Sequence, residues 1–158
     1  MTFVRLFAVF AFVVMTLSAA VPTAQAQTSR ITAFPQSFGQ MVMYGDYRRG
    51  SGGELAYALQ DTIDTAQAGL PLPNGTVLVL EIYANDILTD YFVMEKGQNW
   101  GLDITEDIRN GDWHFQQFDP NRQVRRTAIA DRCMSCHQGA GTASEFMFSY
   151  ERMLGYMP

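Results

Sequence analysis

Both cysteines of this chain fall in one short run, Cys133-Met134-Ser135-Cys136-His137, close to its C-terminal end. Two thiols one helical turn apart, followed directly by an imidazole, make a C-x-x-C-H motif. Each thiol can add to one vinyl group of a haem while the histidine ring falls under the iron. A dithiol redox motif is one competing use of the pair, but it sits after a strand at the start of a helix in a βαβ setting, which this location does not offer. Zinc is the other, and it wants four ligands, whereas His114 is the one further imidazole in the chain. The run therefore reads as the attachment site of a single haem c, with Cys133 and Cys136 bonded to the macrocycle and His137 ligating the iron.

A haem motif placed so late narrows the fold. Small electron-transfer cytochromes c carry it near the mature N-terminus. Four-helix cytochromes c′ carry it near the C-terminus, but three amphipathic helices with apolar residues every three or four positions would have to precede it. The sequence reads otherwise. One helix is expected over residues 53–68, where Leu55, Leu59 and Ile63 recur at four-residue spacing and Gly69 and Pro71 act as stops. After the Pro73-Asn74-Gly75 turn, residues 76–83 are β-branched and apolar enough for a largely buried strand. Residues 91–94 read as a second strand, joined to the first across residues 84–90, and residues 113–118 as a third between two turn signals. Residues 124–138 carry the haem motif as a helix; residues 144–154 fit either a helix or a strand. The fold class expected is α+β, mainly an antiparallel sheet with flanking helices and the haem-bearing helix near the C-terminus.

Arg5 precedes an uncharged run over residues 6–17, and Ala24-Gln25-Ala26 supplies the small residues a signal peptidase reads. The apolar run is shorter than the roughly 20 residues needed to span hydrocarbon. Residues 1–26 are thus expected to be a secretory signal peptide and residues 27–158 one haem-bearing domain, exported to the periplasm with no membrane span after cleavage. Loss of Arg5 takes the net charge from -5 to -6, and Lys96 is the sole lysine. Such a surface argues against nucleic acid or anionic membrane as a partner, since both need clustered positive charge. Arg122, Arg125, Arg126 and Arg132 form the one basic run, read as a solvated face, with haem propionates as the sharper alternative partner for some of these guanidinium groups.

Taken in order, the residues resemble the cytochrome P-460 and cytochrome c′-beta family of small periplasmic β-rich haem c proteins. The resemblance rests on Pro73-Asn74-Gly75-Thr76-Val77 leading into a strand that ends at Glu81, on Val93-Met94-Glu95-Lys96, on Gly111-Asp112-Trp113-His114-Phe115 with Phe118, on Cys133 to His137, and on Glu145-Phe146-Met147-Phe148-Ser149. It implies a homodimer. It also divides the family by the distal side of the haem. Enzymes that oxidise hydroxylamine with nitric oxide carry a lysine joined to the haem edge, a carboxylate that relays protons and a pocket arginine. Matched by position, these fall on Leu80, Phe92 and Met41. A leucine cannot form an amine crosslink and a phenylalanine cannot accept protons from a bound hydroxylamine. Lys96 is expected past the end of its strand as a solvated ammonium.

The wall implied by Leu80, Phe92 and Met41 excludes water and offers no hydrogen-bond donor, which favours small neutral diatomics, nitric oxide among them. Two other classes stay open. One is a haem-dependent oxidoreductase acting on hydroxylamine or nitric oxide, for which a one-residue slip in register would bring Glu81 or Glu95 to the haem. The other is a periplasmic electron carrier serving a redox partner, with Met94, Met147, Met153 or His114 as sixth ligand. For the methionines, core packing is the commoner role. For His114, a hydrogen-bonded, half-buried imidazole is expected.

Overall fold

The computed structural model describes residues 29–125 and 130–158. The leader read at residues 1–26 and Arg126 of the basic run lie outside them. Five strands, β1 (Val42–Asp46), β2 (Gly53–Ala58), β3 (Val77–Ala84), β4 (Ile87–Lys96) and β5 (Trp113–Phe118), form one antiparallel sheet in the order β1-β2-β3-β4-β5. Helix α1 (Gln60–Gln67) follows β2, α2 (Ala130–His137) carries the cysteines, and α3 (Tyr150–Leu154) closes the chain. This is the α+β architecture expected, with the C-x-x-C-H run on a helix near the C-terminus.

The pleat sorts the sheet into two faces. Ala58, Leu78, Met94 and Phe115 lie side by side across β2 to β5, and so do Ala56, Leu80, Phe92 and Gln117 one pleat away. That face packs on Ile63 and Ala66 of α1, Met134 of α2 and Met153 of α3. The alternate residues Val79, Tyr91, Val93 and Phe118 turn the other way and are covered by Ile31, Phe34 and Phe38 of the N-terminal segment. Edge-on contacts tie this back layer together: the Phe34 and Tyr91 ring centroids are 4.8 Å apart and those of Phe34 and Phe118 5.4 Å.

The helix expected over residues 53–68 is half strand. Residues 53–58 form β2, paired along their length with β3, and the helix begins only at Gln60. Four-residue spacing satisfies a period of two as well as one of 3.6, so Leu55 and Leu59 could not separate the alternatives. Burial of both Ala56 and Ala58 against β3 decided for the strand. β4 starts earlier than expected, at Ile87, because Asn85 and Asp86, at φ 53° and 60°, make a two-residue turn directly off β3. β1 escaped sequence reading: it is five residues long, contains Gly45 and slips register between Met43 and Gly45. The terminal segment left open between helix and strand resolves as turns leading into α3.

Candidate haem-binding site

Helix α2 lies against β5 and is pinned by Asn110, whose Nδ2 donates to the Met134 carbonyl at 3.1 Å. Met134 is buried in the core, Cys133 is half-buried and Cys136 is exposed. Burial pushes the Cys133 thiol up to about 11, so it stays protonated at neutral pH. A dithiol redox centre depends on the opposite shift, toward thiolate. Among the described residues, no group of three or more histidine, cysteine, aspartate or glutamate side chains is gathered to hold a metal ion, so the zinc alternative finds no ligand set there.

His137 ends α2 with its ring between Phe115 and Phe148, at centroid distances of 4.7 and 5.4 Å. Its Nδ1 lies 2.6 Å from the Phe146 carbonyl oxygen, which can only accept, so the proton sits on Nδ1 and Nε2 keeps its lone pair. Burial holds the ring below its ordinary pKa and therefore neutral. A neutral imidazole with Nδ1–H tied to a carbonyl is the form that ligates iron through Nε2.

Beside His137 opens a largely apolar cleft, partly open to solvent. Leu80 and Phe92, direct partners across β3 and β4, line it together with Cys133 and His137. The Cys133 thiol and the His137 imidazole at an apolar cleft, with Cys136 exposed one helical turn along α2, fit a haem in donor set and polarity. The structure does not bring Met41 there: it packs against the back cluster, beyond the sheet from the cleft. Glu81 and Glu95 also point away from it, because the register puts Leu80, Phe92 and Met94 on the cleft face and their neighbours on the other. Glu81 accepts from the hydroxyls of Tyr57 and Tyr83 at 2.8 and 3.0 Å. Desolvation raises the pKa of Glu95.

Of the candidate sixth ligands, Met94 and Met147 line the cleft, whereas Met153 is core. His114 is fully buried rather than half-buried, and both nitrogens are engaged. Nδ1 accepts from Arg30 N–H at 3.1 Å and Nε2 donates to the Trp100 carbonyl at 3.0 Å. Sequence reasoning missed Tyr44 and Ser149, whose hydroxyls meet at 2.7 Å in the cleft wall, so that wall does contain hydrogen-bonding groups, which engage each other. Tyr44 sits on the unread β1, which is why it carried no signal. In the basic run, Arg122 stacks over Phe34, Arg125 pairs with Asp90 at 2.6 Å and Arg132 is exposed.

Lys96 is not a solvated ammonium. It is the last residue of β4, its side chain is 17% exposed, and its Nζ lies 2.9 Å from Glu145 Oε2. The strand runs further than expected because Gly75 and Thr76 continue the pairing with Lys96 through backbone hydrogen bonds.

Residues 35–149 match the family model for cytochrome P460. The chain belongs to the cytochrome P460 family. It is accordingly a haem-binding cytochrome. The span matched to the cytochrome P460 model takes in the whole sheet, the C-x-x-C-H helix and every residue named above as lining the cleft, from Tyr44 to Ser149. No curated protein matches the chain.

Proposed function

We propose that this cytochrome carries one haem c, bonded through Cys133 and Cys136 and ligated by His137, and binds a small neutral diatomic such as nitric oxide against an apolar wall of Leu80 and Phe92. The reading includes export to the periplasm and a homodimer, both taken from the sequence. The observation that carries it is the pairing of Leu80 with Phe92 in the same cleft as His137. When bound, the haem supplies an iron atom able to take a diatomic ligand. The protein's own contribution is exclusion and orientation. Leucine and phenylalanine keep water and charged ligands out, Phe146 holds the His137 proton on Nδ1, and Tyr44 and Ser149 engage each other.

A hydroxylamine-oxidising role is less well supported. The chain's sole lysine is held by Glu145, and neither Glu81 nor Glu95 faces the cleft to take protons. The test is the optical spectrum of the ferrous protein before and after addition of nitric oxide. A high-spin starting spectrum that converts to a nitrosyl form is expected. A low-spin spectrum that nitric oxide leaves unchanged would sink the gas-binding reading in favour of an electron carrier with Met94 or Met147 on the iron. Intact mass and pyridine haemochrome should give unmodified haem c; a crosslinked, red-shifted haem would instead identify the enzyme.

A further inference from the structure

The Phe146 carbonyl that holds His137 belongs to an unusual piece of backbone. Glu145 and Phe146 are consecutive non-glycine residues in the left-handed region, at φ 52° and 60°. That conformation costs free energy for residues with a Cβ and persists where surrounding contacts over-determine it. Those contacts are visible. Glu145 Oε2 accepts from Lys96 Nζ at 2.9 Å, Glu145 Oε1 accepts from Leu72 N–H at 3.1 Å, and Lys96 Nζ also donates to the Leu72 carbonyl at 2.8 Å. The three groups close a ring in a region where Leu72 is buried and both charged side chains are mostly covered. Lys96 is itself fixed at the end of β4, where it pairs with Trp113 of β5. The turn is thereby bolted to the sheet, and its next carbonyl is the one that accepts the hydrogen bond from His137 Nδ1–H.

We propose that Lys96 and Glu145 are positioning residues for the haem iron. By clamping the Glu145-Phe146 turn they hold the Phe146 carbonyl on His137 Nδ1–H, and so set the orientation and basicity of the imidazole. A strongly held Nδ1–H makes Nε2 a better donor to the metal. This rests on the reading of His137 as the iron ligand. It gives the chain's single lysine a role on the His137 side, acting through backbone rather than on the haem edge.

The test uses the ferrous holoprotein, the iron–histidine stretching band in resonance Raman and the reduction potential. Lys96→Met should shift the band to lower frequency and raise the potential, because a less basic imidazole stabilises the ferric state less; Lys96→Arg should restore much of both. Since Lys96→Met strands a covered carboxylate, at a cost to folding, Glu145→Gly is the second variant. Glycine takes the left-handed conformation freely, so the turn survives while its anchor is lost. Glu145→Gly should shift and broaden the band without a matching loss of thermal stability. If Glu145→Gly leaves the band and the potential at wild-type values, the positioning role is refuted, whatever happens to stability. If wild-type ferrous protein is five-coordinate and high-spin yet shows no iron–histidine band, the reading of His137 fails, and the positioning role with it; if it is low-spin, the reduction potential decides, and unchanged potentials in both variants refute the role.

Discussion

At the scale of single residues, His114 is fully buried and hydrogen-bonded through both ring nitrogens, and it ties stability to pH. His114 has its pKa lowered mainly by burial, with the hydrogen bond to the Trp100 carbonyl and then Asp103 and Asp112 pulling the other way. A histidine whose folded pKa lies below its unfolded value of about 6.5 takes up protons preferentially in the unfolded chain. Stability should therefore fall as pH drops below about 6.5 and level off beneath the folded pKa. Protonation would set an Nδ1–H against the Arg30 N–H that now donates to it, loosening the N-terminal layer. Thermal melts of the holoprotein from neutral to mildly acid pH should show this decline, and His114→Gln should remove that part of it. Phe92 offers a second residue-scale prediction. Phe92→Ala should cost about 2–3 kcal/mol, less than a fully buried phenylalanine because Phe92 is only half-buried, and should admit water or a charged ligand to the cleft. Urea titration and the ferric spectrum with added cyanide check the two effects. Of the cleft residues, Cys133 and His137 were legible from their own spacing, whereas Leu80 and Phe92 were legible only through likeness to a family. The Phe146 carbonyl was not legible at all, because a backbone acceptor leaves no mark on residue type.

At the scale of elements, the β3–β4 hairpin sets which side chains face the cleft. Its turn needs two left-handed residues, and the sequence supplies Asn85 and Asp86, the better and the poorer fit to a type I′ turn that favours Asn-Gly. Asp86→Gly should stabilise the protein by about 0.5 kcal/mol, since the Asp86 N–H bond to Ser51 at 2.7 Å is backbone and survives. A denaturant midpoint that fell instead would show that the aspartate side chain does more than turn. Gly101 is the reverse case: a Cβ there would lie 2.1 Å from the Gly111 carbonyl oxygen, so Gly101→Ala should cost about 2–3 kcal/mol. The strands with dense β-branched or aromatic sequence, β3, the second half of β4 and β5, were readable in advance. β1 and β2 were not, because a short bulged strand and a strand with apolar residues four apart have periodicities that do not single out strand. Their identity comes from neighbours: β2 is a strand because β3 is beside it, and β1 because β2 is. Long-range pairing of this kind overrides local propensity.

At the scale of the whole molecule, the sheet divides two layers with different dependence on the cofactor. The back layer, with Ile31, Val79, Tyr91, Val93 and Phe118 buried under Phe34 and Phe38, is complete in protein atoms alone. The front layer is built around the cleft, so β1 through Tyr44, α2 through Cys133 and His137, and the terminal loop through Met147 and Ser149 all border space that a haem would fill. A group whose packing contacts exist only in the native state stabilises what it touches, and local opening reports such differences region by region. Cys133→Ala/Cys136→Ala protein prepared without haem should therefore keep slow amide exchange in β3 to β5, while α2 and residues 138–149 exchange at least ten-fold faster than in the holoprotein. A ten-fold change corresponds to about 1.4 kcal/mol of local opening free energy. Uniform acceleration across both layers would mean that the sheet has no stability apart from its cofactor. Unchanged exchange in α2 would mean that haem does not bear on the front layer, and the cleft beside His137 would then be the wrong place to put it.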